Sequence, residues 1–168
     1  RTLFFDLLPV LVKSRSGYRI KLKLFTVPGQ VIHGATRRLV LQGADGVVFV
    51  GDSQLSEAKA NGEFWQGMRQ HIGENGLDPM ALPTVIQFNK RDLPNIRTDA
   101  ELDMIQSRSQ EPLFKAVAIR GDGVLETLHG LLRLLFVDLN RKHDFERKFR
   151  ISSEEFLHGV FGRVNTNA

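Results

Sequence analysis

The chain has no cysteine, which removes a disulfide framework and a thiolate metal site from consideration and fits a reducing compartment. Long apolar runs are missing as well. None approaches the about 20 residues that a membrane-crossing helix needs, and no basic-then-apolar leader with a small-residue cleavage site is seen. The expectation is a soluble cytoplasmic protein without a transmembrane segment. Metal-binding histidine spacings are also lacking: His33, His71, His129, His143 and His158 form neither H-x-x-x-H nor H-E-x-x-H, which argues against a zinc site. Charge of one sign is not concentrated. The 23 Lys and Arg against 19 Asp and Glu leave a net charge of +4, with the bases scattered among the acids, so nucleic-acid binding is not expected. No internal repeat or low-complexity segment stands out.

What is present is a chain of 168 residues, 42% hydrophobic, enough to bury one sizeable core. Strand-like runs alternate with longer helical patterns, which predicts an α/β fold with helices on both faces of a sheet. Leu3 to Val12 and Arg19 to Thr26, joined by the polar Ser14-Arg15-Ser16-Gly17, read as a β-hairpin. In its second arm Ile20, Leu22 and Leu24 alternate with Arg19, Lys21 and Lys23, as in a strand near a sheet edge with one wet face. Asp45 to Gly51 and Leu82 to Phe88 are nearly continuous apolar runs, the composition of central parallel strands. Helices are predicted over Ser53 to Gly76, with Ser56-Glu57 as a start signal, over Thr98 to Ser107, and over Val124 to Leu139, where Leu125, Leu128, Leu132 and Leu135 make a core stripe. Lys115 to Ala118 is predicted as a short last strand.

Asn89-Lys90-Arg91-Asp92 directly follows the run Leu82 to Phe88. An N-K-x-D at the end of a buried strand fits the reading of guanine. The Asp carboxylate can accept two N–H bonds from the N1 and N2 edge, which adenine cannot supply, and the Lys stem can lie flat along the base. Alone, the tetrapeptide is equally a surface turn closed by Asp92-Leu93-Pro94. A second segment, Phe25-Thr26-Val27-Pro28-Gly29-Gln30, sits where the hairpin ends and a helix is expected. Gly29 would allow close approach of backbone to a phosphate, and a Gln after it could orient an attacking water. A Pro-Gly turn with a solvated Gln is the plainer alternative.

Taken together, Thr2-Leu3-Phe4-Phe5-Asp6 with Leu8-Pro9, Thr26-Val27-Pro28-Gly29-Gln30 and Phe88-Asn89-Lys90-Arg91-Asp92-Leu93-Pro94 resemble the MglA family, bacterial Ras-like switches that control cell polarity and gliding or twitching motility. The resemblance runs from Arg1 to about Leu139. It implies a P-loop NTPase (Ras-like) three-layer sandwich, mostly parallel, with one antiparallel edge hairpin. It also implies a small GTPase that binds GTP or GDP with Mg²⁺, hydrolyses GTP, is recruited to a cell pole, and partners a Roadblock-type (MglB-like) activator and motility effectors. By the same likeness Asn89, Lys90 and Asp92 make up the guanine-specificity motif, with Asn89 tying it to neighbouring phosphate-binding backbone and Asp92 taking the base edge, and the backbone of Ala118 meets the guanine O6. Ile119 stands where many small GTPases have Lys. Gly29 senses the γ-phosphate and Gln30 positions water. Arg1 acts as an arginine finger from within the chain, while Thr2 and Thr26 serve Mg²⁺.

One element departs from that pattern. No G-x-x-x-x-G-K-[S/T] occurs, so the phosphate-cradling loop with its Lys and Mg²⁺-ligating hydroxyl is absent, together with the strand before it. The expectation is a fragment of a longer protein that is inactive by itself: residues 1–139 an N-terminally truncated Ras-like domain, and 140–168 a C-terminal extension. The competing expectation is a degenerate, nucleotide-free scaffold used as an interaction module. An ATP-using enzyme is disfavoured, because Asp92 would face adenine's amino group without the paired donors it needs. In the extension Ser152 and Glu155 match a capping box opening a short amphipathic helix, which would either dock a partner or an acidic membrane surface or pack on its own domain.

Overall fold

A computed structural model describes residues 7–13, 17, 19–27 and 34–164. The chain packs as two units, one drawn from residues 1–40 and 132–168 and the other from residues 41–131.

In the first unit, strands β1 (Leu7–Lys13) and β2 (Arg19–Phe25) pair antiparallel from Leu7↔Phe25 to Lys13↔Arg19. Along β2 the exposed Arg19, Lys21 and Lys23 alternate with half-buried Ile20, Leu22 and Leu24, as the two-residue period requires. Helix α1 spans Gly34–Leu41 and ends at the junction of the units. After His143 the chain breaks at Asp144 (φ 53) and enters α5 (Phe145–Phe149) and then α6 (Ser153–Val164). The Ser152/Glu155 pair opens α6: Glu155 N–H donates to the Ser152 hydroxyl and Ser152 N–H to the Glu155 carboxylate, both at 3.2 Å. Helix α6 packs against β1. Phe136, Phe145 and Phe156 form a buried ring cluster with centroids 5.6–6.2 Å apart.

The second unit is a parallel sheet in the order β3 (Val47–Asp52), β4 (Thr84–Asn89), β5 (Leu113–Lys115). Parallel neighbours need crossover connections, and these are α2 (Ala58–Glu74) and α3 (Asp99–Arg108). Every residue of β4 from Thr84 to Phe88 is buried, so both sheet faces are covered. Ile86 and Phe88 pack with Leu102 and Ile105 of α3 and with Phe49 and Trp65, whose rings meet edge-on at 5.1 Å. On the opposite face Gln87 donates to the Thr127 hydroxyl at 2.7 Å. Thr127 lies on α4 (Val124–His143), which gives three layers.

Three details differ from the sequence expectation. The helix after β3 begins with a 3₁₀ turn over Leu55–Glu57 and has no side-chain cap, so Ser56-Glu57 is not its start signal. Strand β5 lies at Leu113–Lys115 rather than 115–118, because the Ala116 carbonyl and Val117 N–H are bonded to Arg91 and Asp122 in loops. Helix α4 runs four residues past Leu139, where Asp138 pairs with Arg141 at 2.8 Å and Lys142 at 2.7 Å.

Candidate guanine site at the strand ends

The carboxyl ends of β3 and β4 and the segment after β5 meet in one place, where open α/β sheets build their ligand sites. Backbone bonds lace them together: Ser53 N–H to the Asn89 carbonyl at 3.0 Å, Ala116 N–H to Phe88 at 2.9 Å, and Arg91 N–H to Ala116 at 3.1 Å. At the centre is the Asn89 side chain. Its Oδ1 accepts the Lys90 N–H at 2.7 Å and the Ala118 N–H at 2.9 Å, so one amide oxygen holds the N-K-R-D turn and the segment 29 residues downstream in a fixed relation. The first bond also supports Lys90 at φ 65, a left-handed conformation that is costly for a residue with a side chain.

The four residues of the turn then divide by direction. Leu93 N–H closes on the Lys90 carbonyl at 3.2 Å, so the tetrapeptide is indeed a turn. Arg91 faces the protein: its guanidinium donates to the Arg97 carbonyl at 2.5 Å and to Asp99 at 2.8 Å. Lys115, at 3.1 Å, and then Arg91 hold the Asp99 carboxyl below the usual carboxylate range. Asp92 is exposed, and Lys90 presents its stem to solvent with 52% of the side chain exposed. A carboxylate acceptor and a solvent-open apolar stem on the same turn match what a guanine edge, with its two N–H donors, and a guanine face require.

Ala118 opens a 3₁₀ turn, Ala118–Arg120, closed by Gly121 at φ 84. Ile119 projects from that turn at 90% exposure, an apolar side chain turned to solvent. Gly123 seats the following loop. It has φ +76, and a Cβ there would lie 2.0 Å from the Lys115 carbonyl. No side chain fits.

Of the residues expected to meet phosphate and metal, Thr26 is exposed just after β2. Arg1, Thr2, Gly29 and Gln30 lie outside the described residues. Among the described residues no group of three or more His, Asp or Glu forms a metal-binding cluster, and no helix is long and apolar enough to cross a membrane. Two residues went unread in the sequence: Asp52 at the end of β3 and Asn61 of α2, whose side chain bonds the Asp52 backbone. Asp52 stands opposite Asn89 in the parallel register, a juxtaposition that exists only once β3 and β4 are paired.

A three-layer α/β unit with an Asn-centred N-K-x-D turn at its strand ends is the fold class of the Ras-like P-loop GTPases. Searching family models returned no match. The chain is 43% identical over 141 residues to the Mutual gliding-motility protein MglA of Myxococcus xanthus (strain DK1622), a match that takes in 84% of this chain and 72% of that protein. The chain belongs to the MglA family of small GTPases.

Proposed function

We propose that this protein is the nucleotide-binding part of a molecular switch that binds GTP and GDP, hydrolyses GTP, and governs cell polarity or surface motility. The observation that supports the reading best is the double acceptance by Asn89 Oδ1, which joins the N-K-R-D turn to Ala118. Asp92 accepts from the guanine N1 and N2 edge, Lys90 lies along the base, and Ile119 covers the base in place of the usual Lys stem; the Ala118 N–H is bonded to Asn89 Oδ1 at 2.9 Å and reaches O6 only by sharing or giving up that bond.

The chemistry of the phosphates is carried over from the family likeness. Gly29 donates its N–H to the terminal phosphate and Gln30 orients the attacking water. Arg1 meets the negative charge that spreads over the transferred group. Thr2 and Thr26 supply hydroxyls toward Mg²⁺, which when bound neutralises phosphate charge. A Roadblock-type activator and motility effectors are the proposed partners, and the cytoplasmic side of a cell pole the proposed place of action. Residues 1–139 form the GTPase domain and 140–168 a C-terminal extension, whose helix α6 packs on β1.

Titration with GDP, ADP and xanthosine diphosphate tests the base site. GDP should bind at least tenfold tighter than ADP. Asp92→Asn removes two charge-assisted bonds and should weaken GDP roughly 100-fold while improving the xanthine nucleotide. Equal affinity for GDP and ADP in the parent chain would overturn the assignment.

A further inference from the structure

Asp52 occupies the end of β3 with every polar atom engaged. Asn61 of α2 clamps its backbone, accepting the Asp52 N–H at 3.0 Å and donating to the Asp52 carbonyl at 2.8 Å. One carboxylate oxygen accepts the Gln54 N–H at 3.0 Å; the other accepts Lys90 Nζ at 2.5 Å. The pair is asymmetric, because the Asp52 side chain is 17% exposed and that of Lys90 52%. The acid is part of the framework. The base is the more exposed partner, and it is bonded at its tip.

A lysine with a free ammonium spreads over many rotamers, and holding it flat against a ligand would cost that freedom on binding. Anchoring the ammonium at Asp52 removes much of the cost beforehand while about half of the side chain stays open to solvent. We propose that Asp52, held by Asn61, is a positioning residue of the base site. It pins the Lys90 ammonium so that the stem forms a ready shelf for the base. This rests on the guanine reading above, in which Lys90 lies along the ring. The bland alternative is an ion pair that merely ties β3 to β4.

The two roles separate in a mutant cycle on the full chain, using a fluorescent GDP analogue and its ADP counterpart. Asp52→Asn is expected to speed release of the GDP analogue about three- to tenfold. In the Lys90→Met background the same change should add nothing. Glu63→Gln, which removes an exposed carboxylate from α2, should leave release unchanged. In the nucleotide-free protein, acylation of Lys90 by an amine-reactive ester, located by mass spectrometry, should be several-fold faster with Asp52→Asn. If that variant does not fold, Asn61→Ala, which frees the Asp52 backbone without removing charge, should give a smaller acceleration of the same kind. Release unaltered by Asp52→Asn, or accelerated equally in the Lys90→Met background, would overturn the role. Binding of the ADP analogue as tight as that of the GDP analogue would overturn the guanine reading itself, and the role with it.

Discussion

At the scale of single residues, hydrogen bonds made by one side chain decide where elements begin and which way the site faces. Thr98 accepts the Glu101 N–H at 3.2 Å and Glu101 accepts the Thr98 N–H at 2.7 Å, a capping box that opens α3. Thr98→Ala should cost about 1 kcal/mol, measurable as a lower denaturation midpoint at unchanged m-value. Asn89 carries more. Asn89→Ala leaves two N–H groups of the strand-end turns without their acceptor, each costing about 1–3 kcal/mol where water does not replace it, and GDP affinity should fall further than stability does. Asn89, Lys90 and Asp92 were legible in the sequence because they are contiguous. Asp52 was not, because its partner is 38 residues away and nothing in a Gly-Asp after a strand names it. The Thr98–Glu101 box stands in the sequence at the capping-box spacing, so the start of α3 is written there.

At the scale of elements, buried strands were readable and short ones were not. The apolar runs at β3 and β4 predicted central parallel strands; five buried residues in a row along β4 bear this out for that strand, whereas β3 lies at the edge of the sheet among the described residues, with Val50 exposed. The end of β5 misled because Ala116 and Val117 are buried in a loop, and apolar composition reports burial rather than hydrogen-bond partner. That loop depends on Gly123, whose Cβ position falls within the Lys115 backbone. Gly123→Ala should destabilise the second unit by about 2 kcal/mol or more and loosen Ala118, so unfolding and nucleotide release should worsen together. Helix α4 carries a pH response. Burial pushes the Asp138 carboxyl up, but hydrogen bonds and charge from Lys142 and Arg141 together outweigh it and hold it below 3.8. Its contribution is therefore complete above the unfolded value and is lost as pH falls through the lower, folded one. Asp138→Asn should flatten the acid limb of the stability curve below about pH 4 while lowering stability at pH 7.

At the scale of the whole molecule, the C-terminal extension takes part in a core. Phe156 and Val160 of α6 and Ile151 before it are at most 1% exposed, and α6 lies on β1. Phe156→Ala should cost about 3–5 kcal/mol, read as a lowered thermal midpoint; a shift within error would return the extension to a docking role. The sequence held both readings open, because an amphipathic stripe of Phe156, Leu157, Val160 and Phe161 looks the same whether its partner is the same chain or another. Contact between β1 and α6 also has a consequence for biosynthesis. About 140 residues separate them, and at a translation rate of about 5–20 residues per second the nascent hairpin waits roughly 7 to 30 seconds before its packing helix is made. During that interval residues 41–131, contiguous in sequence, are already synthesised, so their parallel sheet can pair while the hairpin still lacks the helix that covers it.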